Sequence, residues 1–98
     1  MHYYGLRMKI KSMEQLGAVL RATRVGLNVP LADLAETLET SQTLLRRQEQ
    51  GRSTVALEKL FATMTELGIE LHVSLPSAID ENSLDLIGET TQRKRARP

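Results

Sequence analysis

The stretch from Val29 to Gly51, VPLADLAETLETSQTLLRRQEQG, constrains this chain more than any other. It holds two short amphipathic segments with only a few residues between them. In the first, Leu31, Leu34, Ala35 and Leu38 recur at helical spacing, and Asp33, Glu36 and Glu39 occupy the other side. Pro30 stands near its start, where a missing N–H does no harm, and Asp33 complements the positive end of the helix dipole. Ser41, a good N-cap, opens the second segment. That segment sets Gln42, Thr43, Arg46 and Arg47 on one side and Leu45 on the other, and it stops before Gly51. Two helices joined by a tight turn, the second exposing amides, a hydroxyl and guanidinium groups near its start, suit the major groove of DNA.

The flanks supply a second helix pair and two strands. Leu6 to Lys11 alternates apolar and basic residues, the pattern of a half-buried strand. Ser12-Met13-Glu14-Gln15 reads as a capping box, with Ser and Gln side chains satisfying free N–H groups. Met13, Leu16, Val19, Leu20 and Thr23 then mark one face of a helix running to about Leu27, with Asn28 as a left-handed C-cap. Beyond Gly51 and a short polar loop, Leu57, Leu60, Phe61, Met64 and Leu67 predict a further helix, ended by Gly68. Ile69 to Leu75 alternates again, placing Ile69, Leu71, Val73 and Leu75 on one face. A strand cannot satisfy its own ladder. Its mate is either residues 6–11 of the same chain or the equivalent strand of a second copy. Exchange about a two-fold axis accounts for both strands and for the small core, so a homodimer joined through its sheet is expected.

The run Leu34-Ala35-x-x-Leu38-x-x-Ser41-x-x-x-Leu45-x-Arg47-x-Glu49-x-Gly51 resembles the helix-turn-helix of the phage-repressor-like (Xre) family. The resemblance extends over residues 13–67, and with its flanks the chain is most similar to the HipB-type antitoxins. It implies a mainly α fold: a compact helix-turn-helix bundle of four to five helices with a short β-strand element completing a dimer interface. The expected organisation is an N-terminal strand or arm (1–11), a DNA-binding and dimerisation domain (12–75) and a flexible tail (76–98). By the same resemblance, Gln42, Thr43 and Arg47 fall on base-reading positions, where Gln pairs with adenine and Arg with guanine. Ser41, Arg46, Gln50, Arg52, Ser53 and Thr54 fall where the family meets the phosphate backbone. Arg24 and Glu49 fall on a structural ion pair tying the first helix to the end of the third.

Three positions depart from the family pattern. Pro30-Leu31 replaces the Thr-Gln pair that opens the first motif helix and touches a phosphate. Glu39 stands in the turn where the family carries Gly, and Gln48 stands where an apolar residue precedes the family Glu.

Read without the motif, each residue has a plainer role. Gln42, Thr43 and Arg47 form a solvated helix face, Arg46 joins a surface ion pair, and Ser53 or Thr54 caps the next helix. Arg7, Lys9 and Lys11 make a solvated strand face or approach a phosphate or an acidic partner. The net charge of +1 says little, but its distribution says more. Residues 76–92 hold Asp80, Glu81, Asp85 and Glu89 with no base, and Arg93, Lys94, Arg95 and Arg97 follow. The tail is poor in large apolar groups; Leu84, Leu86 and Ile87 within Ser83 to Gly88 read as a docking peptide or as scattered residues of a disordered segment.

Ninety-eight residues build one small domain with a marginal core, which a partner subunit supplements. With no cysteine there is neither a disulfide framework nor a thiolate metal site, in keeping with a reducing cytoplasm. No apolar run approaches the ~20 residues of a membrane span, and no secretory signal is visible. Catalysis has little support: His2 and His72 are the only histidines, and no glycine-rich phosphate loop is present. No cofactor or metal is expected. The functional expectation is therefore a homodimeric repressor on a palindromic operator, its reading helices set about one turn, roughly 34 Å, apart. The family likeness adds the neutralisation of a HipA-like kinase toxin. The rival reading is a protein-interaction module that kept the fold and lost DNA recognition.

Overall fold

A computed structural model describes residues 7–52 and 54–79. Among these it is mainly helical, with a two-stranded antiparallel sheet: β1 (Arg7–Ile10), α1 (Met13–Gly26), α2 (Leu31–Leu38), α3 (Gln42–Glu49), α4 (Val55–Glu66) and β2 (Leu71–Ser74). None of these helices is long and apolar enough to cross a membrane.

Three of the helices start on a side-chain cap. Ser12, Ser41 and Thr54 accept from the N–H groups of Gln15, Leu44 and Leu57 at 3.1, 3.0 and 3.2 Å. The Gln15 side chain reaches back one residue beyond the expected box, accepting from Lys11 N–H at 2.6 Å. Pro30 heads α2 without a side-chain cap.

All four helices end alike. A residue in the left-handed region follows each last turn, at Asn28, Glu39, Gly51 and Gly68. The next N–H then bonds five residues back: Val29 to Arg24, Thr40 to Ala35, Arg52 to Arg47 and Ile69 to Met64. This closure satisfies terminal carbonyls that would otherwise be orphaned. Asn and Gly tolerate the conformation, whereas Glu39, at φ 56°, adopts it against its Cβ.

The strands pair within the chain, in the register Arg7↔Ser74, Met8↔Val73, Lys9↔His72 and Ile10↔Leu71. Of the two mates open from sequence, the structure has the intramolecular one, so neither strand requires a second copy to complete its ladder. Both strands are shorter than expected. Ile69 is half exposed because its N–H closes α4 rather than entering the sheet, and Leu75 is buried just past the end of β2.

The main core joins the inner face of the sheet to α1: Ile10, Val19, Ala22, Leu75 and Ile79, with Met8, Leu16, Phe61, Leu71 and Val73 packed against it. Ile79, grouped with the tail by its polar surroundings, turns back through an N–H bond to Pro76 at 3.0 Å and is buried. Ala35 and Leu45 are buried separately, one on each helix of the α2–α3 pair. Two expected apolar faces are less covered than their periodicity suggests. On α1 the buried positions are Gly17, Val19 and Ala22, while Leu20 is exposed; on α4 no residue is buried, and Leu57 and Leu60, with Leu67 just past its end, are exposed.

Candidate nucleic-acid interface

The α2–α3 pair, joined through Glu39, Thr40 and Ser41, is held from behind at the middle and the end of α3. In its middle, Leu45 is the one buried side chain of the helix. At its end, Glu49 receives a two-pronged bond from Arg24 of α1: Nε to Oε2 at 2.6 Å and Nη2 to Oε1 at 3.1 Å. Arg24 Nη1 also donates to the Val29 carbonyl at 2.9 Å, so one guanidinium ties α1, the α1–α2 connection and α3 together. Both side chains are largely buried, at 15% and 10% exposure. The hydrogen bond to Glu49 raises the Arg24 guanidinium above its ordinary value, against desolvation and with help from Glu49's charge.

Close backbone contact sets the tilt. A Cβ on Gly17 would meet the carbonyl oxygens of Gln48 and Glu49 and the nitrogen of Gly51 at under 3.0 Å. One on Gly51 would meet Glu14 Cα at 2.6 Å. The start of α1 thus lies directly on the end of α3, and only glycine permits it.

With Leu45 and Glu49 turned inward, the rest of α3 faces out. Gln42, Thr43, Arg46 and Arg47 are all exposed, and spacing of i, i+1, i+4 and i+5 gathers them on one side. Among the described residues neither arginine has a carboxylate partner. Ser41 is exposed too, although its hydroxyl oxygen is engaged as the α3 cap. Such a face, a basic stripe with amide and hydroxyl groups at its leading end, can donate to base edges and phosphates alike.

The following loop is more restricted than its sequence suggests. The N–H groups of Gln50, Gly51 and Arg52 all bond to carbonyls of α3, at 3.0 Å each, so they are not available to a phosphate. The exposed side chains of Gln50 and Arg52 remain. Thr54 caps α4, and Ser53 lies outside the described residues, as do His2, the Leu84-Leu86-Ile87 patch and the basic cluster from Arg93 to Arg97. Arg7 and Lys9 stand on the outer face of the sheet, where Lys9 pairs with Glu70 at 2.9 Å. That contact, with a second from His72, lowers the Glu70 pKa. His72 has its Nε2 3.5 Å from Glu70 on this same open face.

Leu44 is a feature that helical periodicity passes over. It is 47% exposed on α3 and lines a cavity of about 550 Å³ with Leu20, Leu57, Arg47 and Arg52. Its signal in sequence is the adjacent pair Leu44-Leu45, of which an eight-residue helix with one apolar side can bury only one.

Comparison with family models, curated proteins and solved structures returns no match.

Proposed function

We propose that the chain is a homodimeric, sequence-specific DNA-binding protein that represses transcription from a palindromic operator in the cytoplasm. The observation that carries this reading is the outward face of α3, where Gln42, Thr43, Arg46 and Arg47 stand exposed on a helix anchored from behind by Leu45 and the Arg24–Glu49 bond. In this reading α3 enters the major groove by its Ser41 end. Gln42, Thr43 and Arg47 read bases, while Arg46 and the Gln50 and Arg52 side chains hold register on phosphates.

A second copy joins at the open edge of β2, extending each two-stranded sheet across a two-fold axis and setting the two α3 helices on one side of the duplex. The likeness to HipB-type antitoxins extends the proposal to a second role. The dimer then also binds a HipA-like kinase toxin, neutralises it and co-represses the operon they share.

The interaction-module reading draws on Leu20, Leu44 and Leu57, whose exposure beside Arg47 gives a protein partner something to grip. Titration of labelled duplexes at ~0.15 M salt separates the two. A repressor binds DNA from upstream of its own gene at least ~10³-fold more tightly than random duplex. Equal affinity for both duplexes leaves only the module.

A further inference from the structure

The cavity that Leu44 lines does not stand alone. It shares Leu16 and Leu20 with a second, of about 370 Å³, that runs toward Leu27, Val73 and Leu75. Together they form one apolar channel along α1. Its far end is rimmed by Arg47 and Arg52, which have no carboxylate partner among the described residues. Its near end is bounded by Leu75 and Pro76. Between them, the Thr23 hydroxyl lines the second cavity and is buried without a hydrogen-bond partner. An occupant of this channel must therefore bring apolar side chains, a polar backbone atom for Thr23 and negative charge for the arginines.

The chain itself carries such a segment, starting at the near end. Ile79 is pinned in the core beside Leu75. Residues 80–89, DENSLDLIGE, follow it with four carboxylates, no base and the apolar trio Leu84, Leu86 and Ile87. Nine extended residues from Ile79 to Gly88 reach about 30 Å, close to the 32 Å smallest dimension of the molecule. The far rim is therefore within range.

We infer that residues 80–89 fold back along α1 into this channel, seat Leu84, Leu86 and Ile87 between Leu20, Leu44 and Leu57, and set the carboxylates of Asp85 and Glu89 against Arg47 and Arg52. The docked segment covers a guanidinium that the proposed function assigns to base reading, so the tail and DNA compete for α3. The docking stands on the channel and the segment alone; the competition rests on α3 being the DNA reader.

The absence of native cysteine allows a single nitroxide label in the full chain through Gly88→Cys. Paramagnetic broadening of the Leu44 and Leu57 methyl signals, unchanged on dilution, is the expected result, with Leu38, exposed on α2, left sharp. Absence of broadening overturns the docking. So does broadening that appears only when labelled and unlabelled chains are mixed, because a second copy is then the occupant. Competition is read separately in the full chain carrying Leu84→Ser, Leu86→Ser and Ile87→Ser. If two-thirds to nine-tenths of the chains are docked, releasing the segment tightens DNA binding about three- to tenfold. Unchanged affinity in a chain that does bind DNA overturns the competition. Failure of both chains to bind any duplex instead counts against α3 as the reader and leaves the methyl result standing.

Discussion

Arg24 and Glu49 are the residues on which the position of α3 depends most. Each prong of their bond is charge-assisted, and both partners are largely withdrawn from water. Removing one partner strands the other. Glu49→Ala is expected to destabilise the fold by about 3 kcal/mol, read as a shifted denaturation midpoint at constant slope. A loss under 1 kcal/mol would mean that the pair is no more than a surface contact. The outer arginines differ in kind. Arg47→Ala should weaken specific binding by about 1–3 kcal/mol and relax preference at one base pair. Arg46→Ala should weaken all duplexes alike and flatten the salt dependence by about one unit. Glu70 offers a pH handle on the far side of the molecule. Its carboxyl lies below its ordinary 4.5 because Lys9 and His72 hydrogen-bond its charged form. A group lowered by folding contributes stability that is present above the ordinary value and lost as pH falls through the lowered one. The Glu70 side-chain carbon signal should therefore titrate below 4.5, and Lys9→Met should move it back up.

At the scale of elements, two backbone positions stand out, one in close approach and one in the left-handed region. Gly17 lies against the end of α3, so Gly17→Ala must push α1 and α3 apart; overpacking of this kind costs about 1–3 kcal/mol and should lower thermal stability. Glu39 holds a left-handed turn against its own Cβ, at a cost of about 1–2 kcal/mol. Glu39→Gly removes that strain but enlarges the freedom of the unfolded chain, so a net stabilisation of about 0.5–1 kcal/mol is expected in the same measurement. How far each feature was legible follows from its range. The starts and ends of helices are local chemistry, and Ser12, Ser41, Asn28, Gly51 and Gly68 mark them plainly in sequence. The close approach at Gly17 is not local: nothing within α1 tells that Gln48 and Glu49 lie against it. Strand pairing is likewise long-range, so alternation alone left two mates open. Ile79 was masked by its neighbours, because one apolar residue after Pro76 has no periodicity to betray its burial. The outward face of α3 was legible from spacing, while Leu44 and the consumed N–H groups of residues 50–52 required the surrounding structure.

For the whole molecule, burial is thin. Among the described residues no large side chain is fully buried, α4 reaches the core only through the partly buried Phe61, and a row of leucines on α1, α3 and α4 remains open to solvent. A domain of this size is marginal alone, so the channel along α1 and the open edge of β2 invite a covering segment and a second copy. In the proposed reading these surfaces have different uses: α3 toward DNA, β2 toward the other subunit and the channel toward the tail. The central claim is the first of these, and amide shift mapping with a duplex from upstream of the gene tests it most directly. The account predicts that signals from Ser41 to Arg47 and from Gln50 to Thr54 move together while those of β1 and β2 hold still. Shifts centred on the outer face of the sheet, at Arg7, Lys9 and His72, with α3 unmoved, would contradict it.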